Sequence, residues 1–318
     1  MIKSVFFGTP DYVIPIIDSL HKKFRSRGGE TPISAVVTQK PKPVGRKQIL
    51  SYSAVDTWAH KKKIPIYFDA EKLIKDRVKA DLGIIAAYGD LLPKETVNYF
   101  PHGILVVHPS LLPQFRWGSP VQATIVAGTN PTGVTIIKMD EKFDHGPIIS
   151  QFKEEVLPED TTGSLRERLF ERSAEVLTTL IPAYLLGKIT PREQEHDKAT
   201  FARMITKEDA FIPPKFLNAA LQGSHLKATW KIPFIKDFSI HYSPVTIHRF
   251  IRAMLPWPGA WTLLRLSSSG QAKRLKILKV HLEPITNHKL ILDEVQLEGK
   301  NPVTWKQFIE GYPEAKFV

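Results

Sequence analysis

An open α/β fold, with a mostly parallel Rossmann-like sheet and helices on both faces, is what this chain predicts, followed by a small β-rich domain. Two features carry the first part. Short apolar runs alternate with helix-spaced segments from residue 4 to residue 186, and turn residues separate them. A change of pattern carries the second: beyond residue 206 the apolar runs are short and closely separated by turns, as in a small barrel.

The elements follow in order. Ser4 to Phe7 reads as a buried strand, Gly8-Thr9-Pro10-Asp11 as a turn, and Tyr12 to Leu20 as a helix. Strands are expected at Ile33 to Val37, Ile64 to Tyr67, Leu82 to Ala87, Ile104 to Val107 and Val134 to Ile137, with a helix at Ala54 to His60. Ser164 to Leu186 has the spacing of one long helix, which Pro182 should kink or shorten. Residues 190–206 are polar and read as a linker, which places a catalytic domain at 1–189 and a second domain at 207–318. In the latter, Asn218 to Ala220 and Ile247 to Met254 have helical spacing. Thr262 to Leu266, Leu275 to Val280 and Leu290 to Val295 are strand-like, and Pro256 to Trp261 reads as a buried aromatic turn.

Composition narrows the chemistry. The 318 residues include no cysteine, which excludes disulfides, thiolate metal sites and cysteine nucleophiles. No apolar run approaches a membrane span, and the N-terminal run is too short for a secretory leader, so a cytoplasmic protein without a membrane partner is expected. The net charge is +12, from 44 basic and 32 acidic residues. The part beyond Thr206 carries 16 basic and 9 acidic residues, the higher excess per residue. A basic surface gains affinity for polyphosphates by releasing their counterions, so a nucleic-acid partner is plausible.

Two segments stand out as chemistry. Gly103-Ile104-Leu105-Val106-Val107-His108-Pro109-Ser110-Leu111-Leu112-Pro113 is an apolar run ending on a histidine and a tight loop. Met139-Asp140-Glu141-Lys142-Phe143-Asp144-His145-Gly146-Pro147 follows a second apolar run. A histidine and an aspartate at strand ends are the makings of a proton-transfer pair, the carboxylate orienting the imidazole and stabilising its cation. In open sheets such sites lie beyond the carboxyl ends of the strands, so Gly8, Tyr88, His108 and Asp140 are expected to share one crevice. Gly8-Thr9-Pro10-Asp11 lacks the spacing of a dinucleotide fingerprint.

With VHPSLLP, SPVQ at Ser119 to Gln122 and MDEKFDHGPII on the page, the chain resembles the formyltransferases that use 10-formyltetrahydrofolate. FFGTPDY, AAYGDLLPK, TFARMITKEDAFI, IHRFIRAMLPWPGAWT and VQLEGKNPVTWKQFIEGY are similar to the branch of that family acting on methionyl-tRNA. The resemblance covers nearly the whole chain and is weakest over 213–243. It implies a Rossmann-like catalytic domain and an OB-like C-terminal domain that binds tRNA. It implies a monomer that passes a formyl group from 10-formyltetrahydrofolate to initiator methionyl-tRNA without a metal. His108 and Asp144 would be catalytic. Ser110, Leu111, Leu112, Pro113, Tyr88, Leu92 and Asp140 would line the folate. Lys42, Arg46 and Lys47, in a Pro- and Gly-rich basic segment expected to be irregular, would meet the tRNA acceptor end.

The chain departs from the family pattern at two places. Val106 stands where the family has an asparagine, on the same strand face as His108. Valine has no donor, and losing one such donor to a developing oxyanion typically costs about 10²–10³ in rate. Trp117 stands after Arg116, where the family usually has glycine. The competing readings are therefore a folate- or tRNA-binding relative without catalysis and a formyltransferase with another amine acceptor.

Overall fold

The computed structural model describes residues 2–44, 48–267, 270–284 and 289–318. Two compact units emerge, and neither is a single stretch of chain. One comprises Met1–Arg116, Thr132–Glu155 and Arg166–Ala199; the other comprises Trp117–Pro131, Val156–Leu165 and Thr200–Val318.

The strands of the first unit are β1 Ser4–Gly8, β2 Ile33–Val37, β3 Lys42–Val44, β4 Ile49–Ser51, β5 Ile66–Tyr67, β6 Leu82–Ala86, β7 Ile104–His108, β8 Thr132–Lys138 and β9 Ile148–Glu154. Seven of them form one sheet in the order β5-β2-β1-β6-β7-β8-β9. β5 through β7 in that order run parallel, while β8 and β9 run antiparallel. Every residue of β1 is buried, as a central strand covered on both faces requires. Helices α1 Ile14–Phe24, α2 Ala54–Lys62, α3 Ala70–Lys75 and α4 Lys94–Val97 punctuate the parallel part. Val5, Phe7, Ala35, Val37, Tyr88, Phe100 and Ile104 form one apolar cluster on the sheet.

The antiparallel edge was not anticipated. The short 139–147 connection cannot make the crossover a parallel neighbour needs, so β9 folds back on β8 as a hairpin. One expectation about the crevice changes with it. Thr135 pairs with His108 and Lys138 with Leu105, so the segment after β8 starts beside Leu105, not beside His108. Asp140 therefore does not follow a strand pointing the same way as β7.

The basic segment also differs from its expectation of irregularity. Lys42, Pro43 and Val44 pair with Ser51, Leu50 and Ile49 in a two-stranded antiparallel ribbon. Val44, Ile49 and Leu50 favour extended backbone, and an edge strand tolerates a proline.

The second unit contains α5 Pro120–Ala127, which packs on α8, Pro244–Ala253. The long helix α6, Thr162–Leu185, belongs to the first unit from Arg166 onward and runs through Pro182 near its end without being shortened there. Helix α7 is Pro214–Gln222 and α9 is Trp305–Gly311. Strands β10 Thr229–Lys231 and β11 Ser239–His241 make a small hairpin inside the segment where the family resemblance was weakest. Strands β12 Trp261–Arg265, β13 Lys273–Leu282, β14 Leu290–Leu297, β15 Val303–Thr304 and β16 Lys316–Phe317 form a five-stranded antiparallel sheet, ordered β15-β14-β13-β12-β16. Both α8 and α9 begin with a capping box, on Ser243 and Thr304. The turn at Pro256 to Trp261 is only partly buried: Trp257 is 52% exposed, whereas Trp261 is held by its Nε1 donating to the Lys207 carbonyl at 2.8 Å.

Asp209, 4% exposed, organises the start of this unit's long segment. Its carboxylate accepts from Arg203 at 2.7 Å through both oxygens and from the Thr206 amide at 2.7 Å. Burial alone would raise its pKa, but the Arg203 and Thr206 hydrogen bonds and the Arg203 charge together hold it below the usual carboxylate value. The sign follows from linkage. This stabilisation is full above the unfolded pKa and is lost as pH falls through the lower folded value. Asp209→Asn is expected to destabilise the protein by about 1–3 kcal/mol at neutral pH. The deficit should shrink when thermal melts are repeated in acid, and a deficit constant with pH would contradict the account.

Candidate active site

His108 ends β7 with its side chain 6% exposed. Its Nε2 lies 3.0 Å from the Phe115 carbonyl oxygen. Its Nδ1 lies 3.5 Å from Asp144 Oδ1. Both ring nitrogens thus face oxygen atoms, one of the backbone and one of a carboxylate. Nε2 lies against the backbone, and Nδ1 lies on the side of the Asp144 carboxylate. The pairing predicted for His108 and Asp144 is present, although Asp144 reaches it by folding back from beside Leu105.

The loop after His108 is braced from beneath. Ser110 Oγ donates to the Gln114 carbonyl at 2.5 Å, and the Ser110 amide bonds the His108 carbonyl. Thr135 Oγ1, on β8, donates to the Ser110 carbonyl at 2.7 Å and accepts from the Leu112 amide at 3.0 Å. Gln151 Nε2, on β9, donates to the Leu112 carbonyl at 3.1 Å and to Thr135 Oγ1 at 2.8 Å. A buried loop backbone needs such partners. Ser110 and Leu112 are buried, and Leu111 packs over Gly133, where any Cβ would collide with the Phe152 carbonyl and Leu111. The Leu112–Pro113 bond is cis.

The segment from Asp140 to Gly146 is pinned at both ends. Asp140 Oδ2 bonds His145 Nδ1 at 2.6 Å, and its Oδ1 accepts from the Lys142 amide at 2.9 Å. Asp144 has φ +49°, in the left-handed region. Gly146 has no room for a Cβ, which would run into the Lys138 carbonyl. Gln194 donates through Nε2 to the Asp144 and Gly146 carbonyls at 2.9 and 2.8 Å. Arg116 donates through Nη2 to Gln194 Oε1 at 2.7 Å and meets His196 Nδ1 at 2.8 Å, so His196 Nδ1 accepts there. His196 stacks on His145 with centroids 3.8 Å apart. Desolvation and the neighbouring His145 and Arg116 charges lower the His196 pKa. Burial lowers that of Arg116, opposed by Asp144 and Asp140.

Other predicted residues fall elsewhere. Tyr88 is a core residue, edge-on to Phe7 at 5.7 Å, its pKa pushed up to about 12 by burial, with Asp90 and Asp69 adding. Leu92 packs against the same cluster. Val106, half-buried, packs with Leu112, Ile137 and Ile148, so this side of the His108 strand is an apolar wall. Lys42 lies exposed on β3, whereas Arg46 and Lys47 lie outside the described residues. Sequence reasoning missed Arg116, Thr135, Gln151 and Gln194. Among the described residues no cluster of three or more His, Asp or Glu side chains is arranged for a metal, and no helix is long and apolar enough to cross a membrane.

Comparison with known proteins places this geometry. Residues 2–181 match the formyl transferase family, and residues 237–290 match the formyl transferase C-terminal domain. A methionyl-tRNA formyltransferase of Listeria monocytogenes is 36% identical over 272 residues, 83% of this chain and 76% of that protein. One from Bacillus cytotoxicus is 30% identical over 98% of this chain and 96% of its own length. The solved methionyl-tRNA formyltransferase of Clostridium thermocellum superposes with a TM-score of 0.56 at 18% identity, covering 93% of this chain and 99% of that one, a likeness of fold. Because a formyl transferase match spans more than half the chain, and these relatives align along most of it, the chain belongs to the formyl transferase family.

Proposed function

We propose that this chain transfers the formyl group of 10-formyltetrahydrofolate to the α-amino group of methionine on initiator tRNA, acting as a monomer in the cytoplasm. The observation that carries the reading is the His108–Asp144 pair beside a braced HPSLLP loop, in a chain aligned end to end with a methionyl-tRNA formyltransferase. The amine attacks the formyl carbon, a tetrahedral oxyanion forms, and the folate nitrogen leaves with a proton. His108 handles the proton at Nδ1, and Asp144 stabilises the cationic ring. The 110–113 loop, Asp140 and the backbone of the segment from Tyr88 to Leu92 form the folate side. Residues 207–318 bind the tRNA, and Lys42, Arg46 and Lys47 contact its acceptor end.

A second reading has one observation behind it. The Val106 wall offers no side-chain donor for the oxyanion. A family member that binds tRNA or folate without catalysis would likewise need no donor at that position.

Three outcomes are expected. His108→Ala should lower single-turnover formylation by at least about 10², and Asp144→Asn by about 10²–10⁴, with melting little changed. Wild-type turnover in both would sink the site assignment. Replacing Lys42, Arg46 and Lys47 by Ala should weaken tRNA binding and reduce its salt slope, leaving folate affinity alone. An unaltered slope in a salt titration would remove these residues from the interface. Val106→Asn should raise the single-turnover rate by up to about 10²–10³. Placed against Leu112, Ile137 and Ile148, the new amide should also cost about 1–3 kcal/mol in a melt. A folded variant that binds both substrates without any gain would show that no donor is needed at 106.

A further inference from the structure

We propose that Gln194, coupled to Arg116, is the positioning residue for the His108–Asp144 pair; as a statement about catalysis this rests on the formyl-transfer reading above. The two groups that face the His108 ring come from separate segments. Phe115, whose carbonyl faces Nε2, adjoins Arg116 in the chain. Asp144, whose carboxylate faces Nδ1, begins the tight turn to Gly146. One side chain joins the two. Gln194 accepts from Arg116 with its Oε1 and gives both amide hydrogens to the Asp144 and Gly146 carbonyls.

Each feature of this junction is built. Gln194 is 6% and Arg116 4% exposed, so their hydrogen bonds act away from bulk water. Gln194 reaches the turn because Arg192 makes a two-way backbone bridge with Ile148, at 2.7 and 2.8 Å, at the start of β9. Asp144 is a non-glycine residue at positive φ, a conformation that needs support from its surroundings. Phe115, at φ +53°, is another. Lys138 holds the far side of the turn, its amide accepted by the Pro147 carbonyl at 3.0 Å. Gln194 supplies the near side. A clamp of this form sets the ring's two acceptors relative to each other, and such placement is worth orders of magnitude in rate when the reacting groups must align.

The test uses the full chain. Gln194→Met keeps the side-chain volume and removes all three hydrogen bonds. Gln194→Glu keeps an acceptor for Arg116 and loses the two donors to the turn. In both, kcat should fall by an amount on the order of 10–10², with KM for folate and tRNA nearly unchanged. In an Asp144→Ala background the same changes should cause little further loss, because Gln194 acts through Asp144. The His108 ring-nitrogen signals, followed by NMR in the substrate-free protein, should move in both variants. This last measurement needs no turnover. Shifted His108 signals in a protein that proves inactive toward methionyl-tRNA would support the clamp and sink the functional reading alone. Wild-type His108 signals in a folded Gln194→Glu protein would overturn the clamp. So would a kcat loss that adds in full to that of Asp144→Ala.

Discussion

The site depends on a buried imidazole held between two oxygens from different parts of the chain. A ring 6% exposed cannot rely on water to satisfy its nitrogens. Everything that fixes those two oxygens therefore fixes the state of His108. The Phe115 carbonyl is set by the loop after β7, and the Asp144 carboxylate by the turn between β8 and β9. The sheet supplies the frame: β8 must run antiparallel to β7 for Thr135 to stand beside His108 and for its side chain to reach the Ser110 and Leu112 backbone.

The frame is mostly apolar, and its few polar side chains have a common task. Thr135, Gln151 and Gln194 each bond backbone groups of a loop that carries chemistry, rather than reacting groups. In a low-dielectric interior an unpaired amide or carbonyl costs about 1–3 kcal/mol. Loops that follow buried strands would otherwise open toward water. Polar residues on β8 and β9 let the loop stay closed with its backbone groups paired.

Much of the fold is readable from pattern alone. The runs at residues 4, 33, 82 and 104 become parallel strands because continuous apolar stretches bounded by turns have few alternatives in a chain of this kind. Strand β9 escaped because Ile148–Glu154 mixes polar residues into an edge strand, and the direction of β8 escaped because periodicity carries no information about pairing sense. His108 and Asp144 were legible from their local segments. Gln194 was not: it lies in a polar stretch resembling a linker, and only the Arg192–Ile148 bridge brings it to the turn. Thr135 did leave a trace, as a lone polar residue within Val134-Thr135-Ile136-Ile137. A threonine at 0% exposure within such a run must bond something, and here it bonds the active loop.

Val106 shows how the same logic bears on chemistry. Val106 packs with Leu112, Ile137 and Ile148, none of which carries a side-chain donor that could serve an oxyanion beside His108. On the proposed reaction, stabilisation of that charge then falls to the imidazolium itself and to backbone amides of the loop. A protonated ring is the stronger of these, because a charged donor makes shorter and tighter hydrogen bonds than a neutral one. The loss of a donor at 106 thus increases the weight carried by Asp144 and by the groups that hold it in place. In a chain with the family's asparagine, proton handling and oxyanion stabilisation can be divided between two side chains. On the proposed reaction, valine at that position leaves the ring and the loop amides to share the second task, and the positions of Phe115 and Asp144 matter correspondingly more.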